Sequence, residues 1–216
     1  MRRLAFLFVV MVVASTTTAF AATLTVGTWH LWTGSQTLTK STCTLTGTAV
    51  TTDTYADESQ GGQDNSAGTT MLVRPGAGTR DWTFIRFNLA SCAIPTTGGA
   101  DTATLTLRMT TAPASNRTLT VTPVLTTWTG AAASDLPTAL GFTYGGTTTT
   151  FTTGTTSNVF LSFPVTIDVD ALIKNATANY GWRITDGGAG SPTTTFVSSE
   201  NGTAANRPQL VINYEK

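Results

Sequence analysis

Short segments in which apolar and polar residues alternate recur along the chain, and most of them are bounded by Gly, Pro, Asn or Asp. In residues 84–89, Ile85, Phe87 and Leu89 occupy every second position. Successive side chains of a β-strand point to opposite faces, so these three would share one buried face. The same period occurs in residues 102–109, 119–125, 165–169 and 209–214. The pattern predicts about eight strands and an all-β fold, an antiparallel β-sandwich or jelly roll.

One short helix is expected beside these strands. It would run from Val169 to about Asn175, with Asp168 as its N-cap and Asp170 in its first turn. A side-chain oxygen at the N-cap accepts a backbone N–H, and a carboxylate in the first turn suits the helix dipole. The Asn-Tyr-Gly sequence at residues 179–181 would follow the end of this helix.

The N-terminus has the pattern of a secretory signal peptide. Arg2 and Arg3 precede an apolar run at residues 4–14, and the small residue Ala21 offers a cleavage site, so residues 1–21 would be removed. The apolar run is about 11 residues long, whereas a membrane-spanning helix needs roughly 20. The mature chain is therefore expected to be secreted and to carry no membrane span.

Composition and charge narrow the possible functions. Threonine is abundant, glycine occurs 20 times, and the formal net charge is +0. Because β-branched residues favour strands and glycine favours turns, the composition agrees with an all-β domain. A neutral chain has no strong electrostatic attraction for phosphate groups, so nucleic acid and anionic lipid are not expected partners.

Cys43 and Cys92 are the only two cysteines. In an exported protein, an oxidising environment favours a disulfide between them, and two buried free thiols are the alternative. A disulfide that closes a loop of about 50 residues would stabilise the fold by roughly 4 kcal/mol in the chain-entropy model.

Eight short motifs resemble one known family. They are Asp-Thr-Tyr at 53–55, Phe-Ile-Arg-Phe-Asn-Leu at 84–89, Ala-Thr-Leu-Thr-Leu at 103–107, Thr-Trp-Thr at 127–129, Ile-Asp-Val at 167–169, Tyr-Gly-Trp at 180–182, Phe-Val-Ser-Ser-Glu at 196–200 and Asn-Arg-Pro-Gln-Leu at 206–210. In order and spacing they resemble the DNRLRE domain family of secreted jelly-roll modules, which is grouped with carbohydrate-binding modules. The resemblance covers residues 53–216 and implies a jelly roll and, for some relatives, polysaccharide binding. Residues 22–52 would be an N-terminal extension with added strands.

Two acidic residues belong to these family-like motifs. Asp53 and Glu200 are expected to pair with Arg86 or Arg207 as structural anchors, rather than to act as an acid and a base.

Catalysis finds little support in the sequence. His30 is the sole histidine, and no serine lies in a Gly-x-Ser-x-Gly turn, so a Ser/His/Asp arrangement has little to build on. A pair of carboxylates for glycoside cleavage depends on a separation that only the fold fixes. We therefore expect a protein without enzymatic activity, with the carboxylate pair left open.

Residues 57–65 form the best candidate metal site. Asp57, Glu58, Asp64 and Asn65 supply oxygen ligands, and glycines between them let backbone carbonyls turn inward. Calcium prefers such ligands, so a structural calcium ion is a possible cofactor. The alternative is a solvated polar turn.

Sugar-binding sites usually offer an aromatic face surrounded by polar groups. Trp82, Phe84 and Arg86 lie on the face of their strand opposite Ile85 and Phe87, so they form the first candidate binding platform. That face meets either solvent or a second layer of structure.

Trp29 and Trp32 form the second candidate platform, near a change of phase in the N-terminal segment. The alternative for this segment is an added edge strand that packs on the sandwich. Trp128 and Trp182 lie within family-like strand patterns and are expected in the core.

Two functions follow from these features. The first is a noncatalytic carbohydrate-binding module that recognises an extracellular polysaccharide or cell-surface glycan. The second is a structural cell-surface or matrix protein that self-associates through residues 22–52, which could add a strand to a neighbouring copy. An exposed row of tryptophans would favour the first, and an extension detached from its own core would favour the second.

Overall fold

The computed structural model describes residues 39–190 and 192–215. Within these residues, eleven β-strands form two antiparallel sheets, accompanied by three short α-helices. The strands are β1 (Lys40–Thr46), β2 (Thr51–Asp57), β3 (Thr70–Val73), β4 (Asp81–Phe87), β5 (Ala100–Thr111), β6 (Thr118–Pro123), β7 (Thr149–Thr152), β8 (Val159–Pro164), β9 (Trp182–Asp186), β10 (Thr194–Val197) and β11 (Gln209–Glu215). The helices are α1 (Gly130–Ser134), α2 (Leu136–Leu140) and α3 (Thr166–Ile173). The expected all-β antiparallel sandwich is confirmed.

Strand β5 is the centre of the larger sheet. This six-stranded sheet has the order β1-β11-β5-β10-β3, and β8 also pairs with β5. Thr106 of β5 is opposite Gln209 of β11 and also opposite Ser162 of β8, so β8 and β11 flank β5 at this level. The five-stranded sheet has the order β2-β4-β9-β6-β7.

The inner faces of the two sheets form one hydrophobic core. Leu105, Leu107 and Met109 of β5 are buried at every second position, as the sequence pattern predicted. Ile85 and Phe87 of β4 belong to the same cluster. Full burial of each such side chain contributes roughly 1.5–3 kcal/mol, so this core provides the main stabilisation of the sandwich.

Helix α3 begins earlier than the sequence pattern predicted, and the alternating residues at its start do not form a strand. Val165, Val169 and Ile173 are buried, whereas Ile167 is 80% exposed. Residues four apart share one face of a helix, and the three buried residues follow this spacing. Over so few residues, the helical spacing is hard to distinguish from the alternation of a strand. Asp168 consequently lies in the first turn of α3 rather than at its N-cap.

Helices α1 and α2 are additional to the one helix that the sequence pattern predicted. Each is five residues long and has a side-chain cap: Thr129 accepts from the N–H of Ala132, and Asp135 accepts from the N–H of Thr138. These caps satisfy backbone donors that a helix start leaves unpaired. Helices this short show no clear apolar period, which explains why the sequence pattern misses them.

A second hydrophobic cluster covers the outer face of the five-stranded sheet. It joins Ala56 and Phe84 of the sheet to Leu136 and Ala139 of α2 and to Trp128. Since adjacent strand residues point to opposite faces, Phe84 and the core residue that follows it lie on different sides of β4. Strand β4 is therefore buried on both faces.

Strand β1 lies within the expected N-terminal extension and belongs to the six-stranded sheet. It pairs with β11 along its whole length, and Cys43 is opposite Ile212. Cys43 forms a disulfide with Cys92, with the two Cα atoms 5.7 Å apart, so the expected pairing is confirmed. The bond ties β1 to the 3-10 helix at Leu89–Cys92. The expected signal peptide and the candidates Trp29 and Trp32 lie outside the described residues.

Among the helices in the described part of the chain, none has both the length and the apolar character needed to cross a bilayer.

Loss of the disulfide should destabilise the domain without changing its sheets. The bonded cysteines are 49 residues apart, and closing a loop of this size contributes about 4 kcal/mol in the chain-entropy model. We expect the double variant Cys43→Ser, Cys92→Ser to lose about that much free energy of unfolding in urea titrations while it keeps the β-sheet circular dichroism spectrum. An unchanged denaturation midpoint would contradict this role of the bond.

Truncation of Trp128 should destabilise the outer cluster. Trp128 is 4% exposed and its Nε1 donates to the Tyr180 carbonyl at 2.7 Å. We expect Trp128→Ala to cost about 3–5 kcal/mol, the usual cost of removing a core aromatic side chain. Leu140→Ala is the matched control, because Leu140 lies exposed on α2 and surface substitutions usually change stability by less than about 0.5 kcal/mol. Equal losses for the two variants would contradict the second core.

Candidate functional site

Phe84 does not belong to an exposed platform. Its side chain is fully buried and packs against Trp128 and Phe142, with ring centroids 5.9 and 6.2 Å away. The outer face of β4 meets the helix layer, so the expectation that Phe84 faces a ligand is wrong. The alternation of apolar and polar residues in a strand shows which face of the sheet a residue lies on, but it does not show what packs against that face.

Trp82 lies at the edge of this covered region and is half-buried. The guanidinium carbons of Arg183 and Arg80 lie 4.5 and 5.8 Å from its ring centroid, and Tyr144 meets it edge to face at 6.2 Å. Burial lowers the pKa of Arg183 below its ordinary value and raises that of Tyr144. The protein's own cations thus already contact the indole that was expected to stack on a sugar.

Arg86 also has an internal role. Its guanidinium carbon lies 5.0 Å from the ring centroid of Trp128. Trp128 and Trp182 are both buried, as the sequence analysis expected. Arg86 therefore covers a core aromatic ring and does not extend a platform with Trp82.

The exposed aromatic residue of the six-stranded sheet is Phe160. Its side chain is 53% exposed on β8, opposite Arg108 of β5. The guanidinium carbon of Arg108 lies 5.9 Å from the ring centroid, and Arg108 Nη1 donates to Asn206 Oδ1. This pair presents an apolar ring and a fixed cationic donor on the outer face of the sheet.

A row of polar side chains runs beside Phe160 across four strands. Register places Thr46 of β1 opposite Gln209 of β11, Gln209 opposite Thr106 of β5, and Thr106 opposite Ser162 of β8. A shallow groove of about 430 Å³ lies along three members of this row, Thr46, Gln209 and Thr106. Its lining residues are Thr46, Thr106, Phe160, Ala204, Ala205, Arg207 and Gln209. The groove combines one aromatic ring with hydroxyl, amide and guanidinium groups.

Sequence reasoning missed Phe160, although a signal exists. Val159, Leu161 and Phe163 alternate along β8 and pack on or within the core, so Phe160 falls on the opposite face. None of the three α-helices in the described part of the chain covers that face at Phe160, which is 53% exposed, whereas α1 and α2 cover the equivalent face at Phe84.

Asp53 and Glu200 lie close together but do not pair with arginine. Asp53 is 2% exposed, and its Oδ2 accepts from the backbone N–H of Ser199 at 2.9 Å. Burial, reinforced by the nearby charge of Glu200, raises the pKa of Asp53 to about 7. Arg207 Nε instead donates to the Asn201 carbonyl at 2.7 Å. The expected ion pairs with Arg86 or Arg207 are not formed among the described residues: a backbone N–H and the Ser199 hydroxyl bond the two carboxylates, and Arg207 donates to a backbone carbonyl.

The side chains of residues 57–65 have separate partners. Arg80 binds Glu58 at 2.6 Å and lowers the pKa of Glu58 to about 2. Asp57 lies 3.7 Å from Arg74, Asp64 accepts from the N–H of Ser66, and Asn65 donates to the Tyr55 carbonyl. Within residues 39–190 and 192–215, no three His, Cys, Asp or Glu side chains form a metal-binding group. Calcium binding by this loop stays a prediction.

Comparison with known proteins identifies the family. A search of the curated proteins gave no match. The family model of carbohydrate-binding module family 96 matches residues 44–214, from β1 to β11, and thus most of the chain. The match spans both sheets and includes Phe160 and the polar row beside it. This chain therefore belongs to carbohydrate-binding module family 96.

Proposed function

We propose that this protein is a secreted, noncatalytic module that binds an extracellular polysaccharide on the outer face of its six-stranded sheet. The observation that carries the proposal is Phe160, a half-exposed aromatic ring beside a polar groove in a member of a carbohydrate-binding family. The jelly-roll resemblance to DNRLRE modules, some of which bind polysaccharide, supports the same function.

The chemistry of the groove suits a sugar chain. A pyranose ring has an apolar face of C–H groups, which would stack on Phe160, and hydroxyl groups at its edge. Arg108 and Gln209 would donate to those hydroxyls, and Thr106 and Ser162 can both donate and accept. The row across four strands is long enough to contact more than one sugar unit, since neighbouring strands are about 4.8 Å apart.

Binding without catalysis agrees with the residues of the groove. Glycoside cleavage usually requires two carboxyl groups on either side of the scissile bond. The described residues that line the groove include no Asp or Glu.

Secretion is part of the proposal and rests on two features. One is the signal-peptide pattern at residues 1–21. The other is the disulfide between Cys43 and Cys92, since such bonds persist mainly in oxidising compartments.

The alternative function, assembly through residues 22–52, has less support from the described structure. Strand β1 pairs with β11 of its own chain and is held by the disulfide. This part of the extension is therefore not detached from its own core.

Phe160→Ala should abolish most polysaccharide binding and leave the fold intact. We expect affinity for the polysaccharide selected on a glycan array to fall at least about 10-fold, equivalent to about 1.4 kcal/mol, because the sugar loses its stacking surface. The melting temperature should change little, since the side chain is half exposed. Affinity electrophoresis in gels that contain the polysaccharide measures the change.

Two further variants make this test selective. Ile167→Ala removes an exposed apolar side chain on α3, away from the groove, and should bind like the unmodified protein. Trp82→Ala should also retain binding, because arginine side chains cover its indole. If Trp82→Ala loses binding and Phe160→Ala keeps it, the ligand binds the sequence-predicted platform and the groove assignment is wrong.

The array should contain both neutral and acidic polysaccharides. Arg108 and Arg207 hydrogen-bond to neutral acceptors, and no ion pair of the described residues involves either guanidinium. Both positive charges remain available to a ligand. For an acidic polysaccharide, we expect binding to weaken as NaCl is raised from 50 to about 500 mM, whereas neutral ligands should be insensitive, because salt screens exposed charges.

A further inference from the structure

Three buried oxygen atoms, two on β2 and one on the turn after β10, have no hydrogen-bond partner among the described residues. They are Thr51 Oγ1, Asp53 Oδ1 and Glu200 Oε2. Thr51 and Asp53 are 4% and 2% exposed and lie two residues apart on β2, so their side chains share one face. Buried polar atoms without a partner are rare in native proteins, and a group of them calls for a ligand or a proton.

Ser199 holds the two carboxylates in place and leaves one oxygen of each free. Its backbone N–H donates to Asp53 Oδ2 at 2.9 Å, and its hydroxyl donates to Glu200 Oε1 at 3.0 Å. Ser198 fixes the same turn, because its Oγ donates to the Gly68 carbonyl at 2.6 Å. The remaining oxygens, Asp53 Oδ1 and Glu200 Oε2, accept no hydrogen bond from a described donor, and the two carboxyl groups lie within hydrogen-bonding reach of each other.

No side-chain cation of the described residues balances this pair. Other buried acids of the domain do have one: Asp81 lies 3.0 Å from Arg74, and Asp186 lies 2.7 Å from Arg117. Asp53 and Glu200 take part in no ion pair within residues 39–190 and 192–215. A buried charge is costly unless it is paired or coordinates a metal.

We propose that Asp53, Glu200 and Thr51 bind one Ca²⁺ ion between β2 and the turn after β10. The donor set consists of carboxylate and hydroxyl oxygens, the hard ligands that calcium prefers. Calcium accepts six to eight oxygens in flexible geometry, so backbone carbonyls and water would complete its shell. Zinc is a poor fit, since it prefers histidine and thiolate ligands. The ion would fasten the turn at residues 198–201 to β2.

Calcium binding is tested directly on the mature protein after treatment with EDTA. CaCl₂ is titrated by calorimetry and in thermal unfolding, with NaCl at matched ionic strength as the reference. We expect one site with a Kd of about 0.1–1 mM, the range of extracellular calcium modules, and a melting temperature that rises with CaCl₂. Asp53→Asn and Glu200→Gln should each weaken binding at least 10-fold, because each removes a negatively charged ligand.

Glu58→Gln is the matched control, since it removes an acidic side chain that pairs with Arg80. It should keep the calcium response. Should Glu58→Gln lose the response while Asp53→Asn keeps it, calcium binds residues 57–65 and the proposal is wrong. If the unmodified protein shows no response, the two carboxyl groups share a proton and the proposal is equally wrong. If Asp53→Asn does not fold, Thr51→Ala provides the same comparison, with weaker binding expected.

Discussion

The pairing of β5 on both of its edges determines the rest of the six-stranded sheet. Leu105 and Leu107 must face the core, because their burial provides the main driving force for packing the two sheets. The side-chain period of two then forces Thr106 and Arg108 onto the outer face. With β11 on one edge and β8 on the other, the register brings Gln209 and Ser162 into line with Thr106. The side-chain period of β5 and its pairing on both edges therefore determine both the core on its inner face and the polar groove on its outer face.

The two sheets of this sandwich differ in what covers their outer faces. On the five-stranded sheet, Phe84 and Ala56 are covered by α2 and by Trp128. On the six-stranded sheet, Phe160 remains half exposed beside Arg108. Aromatic residues on the outer faces therefore have different surroundings in the two sheets: Phe84 packs in a second core, and Phe160 lies exposed beside a polar groove.

Alternation of apolar and polar residues predicted the fold class and the main core strands correctly, because strand side chains have a strict period of two. It could not tell what covers the outer face, and for this reason Phe84 was assigned to a binding platform. Phe160 follows the same rule. The alternation along β8 is short and comes directly after threonine-rich sequence, so the pattern does not stand out there. A segment as short as the start of α3 is also ambiguous, since Val165 and Val169 fit both a strand and a helix face.

Charge pairing was the least predictable feature, because partners come from distant segments of the chain. Glu58 pairs with Arg80, and Asp81 pairs with Arg74, although burial still raises the pKa of Asp81 to about 6. Each of these carboxylates could have been mistaken for a free ligand from sequence. Three of the buried acids, Asp57, Asp81 and Asp186, form ion pairs with arginine, whereas Asp53 forms none among the described residues. The fold decides which carboxylates lack a cationic partner, and the density of acidic residues along the chain does not reveal it.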